Sequence, residues 1–337
     1  MSATPEVSPV HIFDTMSAYQ RTEALRAAIE LDLFTAVAEG NETAADIARR
    51  CEASERGTRI LCDYLTIYGF LSKEDTRYRL TPDAAVFLDR RSPAYVGGAI
   101  EFLLADALVA GFRETAAAVR KGGTAVSAEG TIKADNPLWV NFARGMAGMM
   151  MQPAQLIAQL VDPAADRPLR VLDIAAGHGR FGIAFAERNP QAEVTALDWA
   201  AVLEVATENA ARAGVGARHH TLAGSAFDVD FGGPYDVVLL TNFLHHFDAP
   251  TNEALLRKVH AALADGGRAV TLEFVPNEDR VTPPPAAAFS LVMLVGTPAG
   301  DAYTYAELAR MSANAGFARS ELHPLAPLPQ SVVIAYK

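Results

Sequence analysis

The sequence predicts an α/β protein: a doubly wound, mostly parallel seven-stranded sheet with an antiparallel last strand, preceded by an all-helical domain. Two observations carry this reading. Up to about residue 165, apolar residues recur at helical spacing almost throughout. After Arg167, short continuous Val/Leu/Ile runs alternate with helical stretches, as expected of parallel strands covered on both faces.

The helical part divides as follows. Thr15–Glu39 carries Leu25, Ile29, Leu33, Phe34 and Val37 on one helical face. Thr43 is placed to cap a short helix, and Ser54 a longer one that stops at Gly69. Phe70–Lys73 and Arg77–Leu80 flank a polar turn and read as a β-hairpin. Helix, helix, helix, hairpin is the order of a winged helix-turn-helix. The would-be recognition helix sets Arg56 and Arg59 against Glu55 and Asp63. The wing sets Lys73, Arg77 and Arg79 against Glu74 and Asp75. Neither is a basic stripe, so dimerisation or a structural role is favoured over DNA binding. Long helices are predicted over Tyr95–Lys121 and Asn136–Val161, split by the polar stretch Gly122–Gly130. Pro163 and Pro168 mark the boundary, giving domains 1–165 and 166–337.

In the second domain the predicted strands are Leu169–Ile174, Glu193–Leu197, Arg218–Leu222, Tyr235–Leu240, Arg268–Phe274, Ala318–Pro324 and Ser331–Tyr336. The intervening helices run to Arg188 and over Trp199–Ala213, Thr251–Ala264 and Thr304–Ala315. Only Leu325–Gln330 joins the last two strands, too short for a crossover helix, so they pair antiparallel. His219 and His220 are assigned to the surface ahead of the third strand.

Composition narrows the function. The 337 residues hold 29 Lys+Arg against 40 Asp+Glu, a net charge of −11. That balance argues against a surface built to neutralise nucleic-acid phosphates or to sit on anionic lipid. Met1–Asp14 lacks the basic start and apolar core of a signal peptide. The most apolar windows, Ala94–Phe112 and Ala286–Gly296, fall short of the ~20 apolar residues of a membrane span. Cys51 and Cys62 are the only cysteines, with no zinc-ligand cluster around them. The sequence therefore reads as cytoplasmic, with no metal, nucleic acid or membrane as partner.

Chemistry concentrates at the edge of the sheet. In Val171–Gly182 the first strand runs into Gly177, Gly179 and Gly182, which satisfy G-x-G-x-x-G ahead of a helix. Asp198 follows the second strand, placed to accept hydrogen bonds from both ribose hydroxyls of an adenosine cofactor. Asp173, inside the end of the first strand, would repel a pyrophosphate but suits the ammonium group of a methionine moiety. The late start of the unit and the antiparallel tail also favour S-adenosylmethionine over a dinucleotide.

On these residues the sequence resembles the class I S-adenosylmethionine-dependent methyltransferases. More narrowly, it resembles the dimeric small-molecule O-methyltransferases of plant phenolic, hydroxyindole and bacterial natural-product pathways. The narrower likeness rests on Asn242-Phe243-Leu244-His245-His246-Phe247-Asp248, upstream of Gly266-Gly267. The resemblance implies a Rossmann-like fold, a homodimer through the winged N-terminal domain, and S-adenosylhomocysteine as product. It implies a cofactor site of Asp173, Ala175 and Gly177, of Asp198 and Trp199, of Gly224, Ser225, Ala226 and Phe227, and of Thr241 and Asn242. Ser225 stands where the family has an acid beside the adenine, and Thr241 where it has a lysine. His245 matches the general base, His246 replaces an Asp and Phe247 a Trp. Glu273 matches the carboxylate that holds the catalytic imidazole. A second family acid aligns with Ala302, and Asp301 beside it is its candidate substitute.

A phenol has a pKa near 10 and is a poor nucleophile until deprotonated. Histidine titrates near neutrality and suits that proton transfer. His245 lies just after the fourth strand, at the carboxyl edge where open α/β sheets bind ligands. The doubled histidine leaves the base open between His245 and His246. An aromatic small-molecule acceptor needs an apolar pocket. Phe142, Met146, Met149 and Met150 at near-helical spacing, with Phe289 and Met293, are its candidate lining, and Met146 and Met293 match family pocket positions. Carbon or nitrogen methylation, a non-methylating cofactor binder, a DNA-binding regulator and an NAD-dependent oxidoreductase are the alternatives left standing.

Overall fold

The computed structural model describes residues 7–162 and 164–337; Pro163, one of the predicted boundary markers, lies outside the described residues. The chain falls into two compact units, one up to Ile100 and one from Glu101 onward. The division thus precedes the change of residue pattern near 165, because the helices between Glu101 and Val161 group with the sheet.

The first unit contains α1 (Val10–Glu30), α2 (Leu33–Ala38), α3 (Ala44–Arg50) and α4 (Glu55–Ile67). The hairpin β1 (Leu71–Glu74) and β2 (Arg77–Leu80) and the short α5 (Pro82–Phe87) follow. The predicted helix Thr15–Glu39 is two helices, broken at Asp32, whose backbone is left-handed at φ 56°. Thr43 and Ser54 cap α3 and α4 as expected, accepting from the N–H groups of Asp46 and Gly57. Ala28, Phe34, Ile47, Leu65, Leu71 and Tyr78 form the core of this unit. Near the start of α1, Val10, Ile12, Phe13, Met16 and Tyr19 are exposed. Exposed apolar side chains gathered in this way are the kind of surface that a partner covers.

The second unit begins in short helices rather than the two long ones predicted. In place of Tyr95–Lys121 stand α6 (Ile100–Leu103), α7 (Asp106–Arg113) and α8 (Thr115–Lys121). Gly97 and Gly98 weaken the start, and Asp106 favours a fresh helix N-terminus. In place of Asn136–Val161 stand α9 (Leu138–Met146) and α10 (Met151–Val161). Pro153 in the first turn of α10 cannot donate to a carbonyl four residues back and forces the break before it.

From Leu169 the predicted alternation holds. The strands are β3 (Leu169–Ile174), β4 (Ala192–Asp198), β5 (His219–Ala223), β6 (Tyr235–Thr241), β7 (Leu263–Glu273), β8 (Arg319–Pro324) and β9 (Ser331–Tyr336). The helices are α11 (Arg180–Arg188), α12 (Ala200–Arg212), α13 (Ala249–Ala262), α14 (Pro284–Ala287), α15 (Phe289–Gly296) and α16 (Tyr305–Asn314). The seven strands lie in the order β5-β4-β3-β6-β7-β9-β8. All pairings are parallel except those of β9, which runs antiparallel to both β7 and β8. Strand order reverses between β3 and β6, and an open α/β sheet binds its ligand at the carboxyl edge of such a switch point. His219 corrects the surface assignment: it is buried within β5, whereas His220 is exposed and pairs with Glu193. Among the described residues, no helix is long and apolar enough to cross a membrane.

Candidate functional site

The carboxyl ends of β3, β4, β6 and β7 bring the predicted acids and histidines together. After β3 the chain turns through Ala175, Gly177 and Gly179, at φ 53°, 55° and 71°. A Cβ at Gly179 would lie 3.0 Å from the Cβ of Ala206, so the turn needs glycine for space as well as for its dihedral. Gly182 serves packing: a Cβ there would fall 2.6 Å from Val194 Cγ1, and its N–H donates to Asp173 Oδ2 at 2.9 Å. Asp173 is fully buried, and its Oδ1 finds no partner among the described residues. Burial pushes its carboxyl up to about 7.

Asp198, at the end of β4, accepts the Gly177 N–H on Oδ2 at 2.8 Å and the Trp199 N–H on Oδ1 at 2.7 Å. Burial pushes its carboxyl up to about 6. These residues fit S-adenosylmethionine. The orphaned oxygen of Asp173 is an acceptor suited to an ammonium group, and Asp198 keeps lone pairs for ribose hydroxyls. A buried carboxylate at Asp173, beneath the glycine turn, makes a poor seat for a pyrophosphate. Between the two glycines, His178 is buried, with Nδ1 accepting the Arg180 N–H and burial pulling its imidazole down to about 3.

The histidine loop follows β6. Asn242 takes a left-handed turn at φ 54° and donates its N–H to Leu272 O at 2.8 Å, which starts the chain across β7. His245 and Glu273 are 4% and 2% exposed, and His245 Nδ1 lies 2.5 Å from Glu273 Oε2. The other oxygen of Glu273 accepts the backbone N–H groups of Phe243 at 3.1 Å and His245 at 3.3 Å. One carboxylate thus fixes both the loop and the imidazole on it. His246 has no such partner. Its ring lies 4.3 Å from that of His245, its Nδ1 is unpartnered among the described residues, and burial drives its imidazole well below the usual range. The structure therefore gives the two adjacent histidines different partners, a carboxylate for His245 and aromatic rings for His246.

Aromatic rings surround the pair. Phe289 meets His245 edge-on at 4.9 Å and stacks on Phe274 at 4.0 Å. Trp139 meets His246 edge-on at 5.2 Å and packs against Phe142, whose ring stacks on His178. Met146, Met150 and Met293 are buried, while Met149 is 42% exposed. Spacing along α9 alone did not single out Trp139, although it lies one turn ahead of Phe142.

The remaining predicted residues are placed as follows. Gly224 donates its N–H to Asp198 O, Ser225 Oγ accepts the Phe227 N–H, Ala226 is buried, and Phe227 is half-exposed against Phe247. Thr241 is buried in β6 opposite Leu272. The carboxylate of Asp301 pairs with Arg280 at 3.3 Å and accepts the Ala302 N–H. Sequence reasoning missed Tyr303, which donates to Phe247 O at 2.5 Å, and Gln330, which donates to Asn242 Oδ1 at 2.5 Å. It also missed Asn252, whose side chain donates to the carbonyls of Leu244 and Phe247. No local pattern reports such contacts, since their partners lie on separate elements. Among the described residues no cluster of His, Cys, Asp or Glu could hold a metal ion.

Comparison with known proteins agrees with this geometry. Residues 171–267 match the methyltransferase domain family, and residues 13–90 match the O-methyltransferase dimerisation domain. The chain is 31% identical over 314 residues to the 3-hydroxy-5-methyl-1-naphthoate 3-O-methyltransferase of Streptomyces sahachiroi, covering 91% of this chain and 89% of that one. It is 29% identical to the tetracenomycin polyketide synthesis 8-O-methyl transferase of Streptomyces glaucescens, covering 92% and 91%. The crystal structure of a Nostoc punctiforme protein assigned as an O-methyltransferase is similar at 57% identity with a TM-score of 0.95, over 98% of this chain and 100% of that one. Human N-acetylserotonin methyltransferase in complex with S-adenosylmethionine shares the fold at 21% identity with a TM-score of 0.87, over 100% and 99%. With the cofactor-shaped loop and the dimerisation domain, these likenesses place the chain in the family of S-adenosylmethionine-dependent O-methyltransferases that carry an N-terminal dimerisation domain.

Proposed function

We propose that this enzyme methylates a hydroxyl oxygen on an aromatic or polyketide-like acceptor, with His245 as general base and Glu273 as the residue that holds its imidazole. The observation that carries this is the buried 2.5 Å pair of His245 Nδ1 and Glu273 Oε2 at the carboxyl edge of the sheet. A carboxylate accepting from Nδ1 fixes the proton there and leaves Nε2 as the basic nitrogen. S-adenosylmethionine, when bound, supplies an electrophilic methyl group. His245 Nε2 takes the acceptor's hydroxyl proton, so that the oxygen keeps the electron pair that forms the new bond. The imidazolium so produced is neutralised by Glu273, and most of the remaining rate comes from holding the acceptor in line.

Planar acceptors fit the ring surfaces of Trp139, Phe142 and Phe289, and Met146, Met150 and Met293 add adaptable apolar volume. The named naphthoate and polyketide substrates of the Streptomyces relatives support the same acceptor class. The cofactor set is Asp173, Ala175, Gly177, Asp198, Trp199 and the 224–227 and 241–242 segments. The exposed apolar side chains near the start of α1 support a homodimer through the N-terminal domain. Two cysteines that remain free thiols support a reducing, cytoplasmic setting.

The test is transfer of a labelled methyl group from S-adenosylmethionine to a panel of hydroxynaphthoates and hydroxyanthraquinones. Label on oxygen, lost in His245→Ala while S-adenosylhomocysteine still binds, is the expected result. Label on carbon or nitrogen, or full activity in His245→Ala, overturns the proposal.

A further inference from the structure

Helix α13 carries a feature that neither the family likeness nor the proton-transfer residues account for. Lys258 lies on it without a carboxylate partner among the described residues. Its Nζ instead donates to three backbone carbonyls of the β5–β6 loop: Ala226 at 3.0 Å, Phe227 at 3.3 Å and Val229 at 2.5 Å. The ammonium also sits 4.3 Å over the ring of Phe231, at the end of the same loop. An ammonium has three N–H donors, and here each meets a carbonyl.

Two of these carbonyls, those of Ala226 and Phe227, belong to the segment proposed to flank the adenine, Gly224–Phe227. The loop has few bonds of its own: Ser225 Oγ accepts the Phe227 N–H, and Ser225 O accepts those of Asp228 and Val229. Two turns earlier on α13, Asn252 holds the carbonyls of Leu244 and Phe247 on the histidine loop. Asp248 caps the helix by accepting the Thr251 N–H at 2.9 Å. One rigid helix therefore grips the acceptor-side loop through its N-terminal half and the cofactor-side loop through Lys258. Side chains that fix a binding loop from outside determine its preorganisation.

We propose that Lys258 is a positioning residue for cofactor recognition: it clamps the 226–229 carbonyls and so sets the shape of the adenine side of the site. The inference rests on the reading that Ser225–Phe227 meets the cofactor. Ammonium-to-carbonyl bonds are charge-assisted, and losing such a set from one loop lowers affinity on the order of 10-fold.

The experiment compares Lys258→Met, which keeps the stem and removes the charge, with Lys258→Arg and Phe227→Ala. S-adenosylhomocysteine binding is read by calorimetry, and amide exchange of residues 225–231 is read in the ligand-free protein. Lys258→Met is expected to weaken S-adenosylhomocysteine binding and raise the KM for S-adenosylmethionine about 10-fold, with kcat nearly retained. Exchange across 225–231 should accelerate, and Lys258→Arg should restore much of both. Unchanged affinity in Lys258→Met, with Phe227→Ala weakened, overturns the clamp alone. Unchanged affinity in Phe227→Ala removes the loop from the cofactor site and the reading beneath the proposal with it. Should Lys258→Met fail to fold, Lys258→Gln, which removes the charge and keeps a single amide donor group, carries the test: faster exchange and weaker S-adenosylhomocysteine binding support the clamp, and wild-type values in both overturn it.

Discussion

Glu273→Gln is the substitution on which the proton-transfer reading depends most directly. Glu273 Oε1 accepts two backbone N–H groups, from Phe243 and His245, while Oε2 faces His245 Nδ1 at 2.5 Å. A glutamine must keep its carbonyl oxygen toward the two N–H groups, because turning it would set an amide donor against two donors. Its NH2 then faces Nδ1, which has to become an acceptor, and the ring proton moves to Nε2. The base is thus blocked by tautomer as well as deprived of its counter-charge. The electrostatic part alone, a unit charge about 4 Å from the developing imidazolium at an effective dielectric near 20, is about 4 kcal/mol. That corresponds to roughly 10³-fold in rate. Initial-rate assays with a neutral phenolic acceptor should show kcat lower by about that factor, and calorimetry should give S-adenosylhomocysteine affinity within about twofold of wild type. An acceptor already ionised at the assay pH should lose far less. A Glu273→Gln enzyme retaining kcat within about threefold on a neutral phenol would refute the reasoning.

Other substitutions probe the cofactor loop and the interface. Asp173, held up to about 7 by burial, must ionise to pair with an ammonium group, so S-adenosylhomocysteine affinity should rise with pH toward 7 and flatten above it. Asp173→Asn should give weaker binding without that slope, as followed by calorimetry at several pH values. Because the folded-state value lies above the usual carboxylate range, the ligand-free protein should lose stability as pH rises from about 4 to 7. Thermal melts across that window should show a shallower decline in the asparagine variant. Gly179→Ala, which puts a Cβ at φ 71° and 3.0 Å from Ala206, should cost about 1–3 kcal/mol in chemical denaturation. Phe13→Glu with Met16→Glu near the start of α1 should shift the protein from dimer to monomer in light scattering, and an unshifted mass would place the interface elsewhere.

Much of this protein was legible from its sequence because the relevant forces act locally or repeat along the chain. Continuous apolar runs placed the seven sheet strands within a residue of their bounds except at the start of β7, which begins at Leu263 rather than Arg268, and Thr43 and Ser54 cap their helices as side-chain chemistry requires. The glycine turn and Asp198 were legible because a sharp strand-to-helix turn admits few residue types. The two long helices were not. Leu, Ala and Met sustain helical spacing across a break, and Pro153 or a Gly-Gly step decides where the chain turns. Side-chain partnerships lay beyond local patterns altogether. Neighbours in sequence point in different directions, so only the fold decided that His245 meets Glu273 while His246 packs among rings, and that Asp301 turns to Arg280. Asn252 and Lys258 belong to the same class. Each is an unremarkable polar residue on α13 until the fold brings Asn252 back to the carbonyls of the preceding histidine loop and Lys258 to those of the β5–β6 loop.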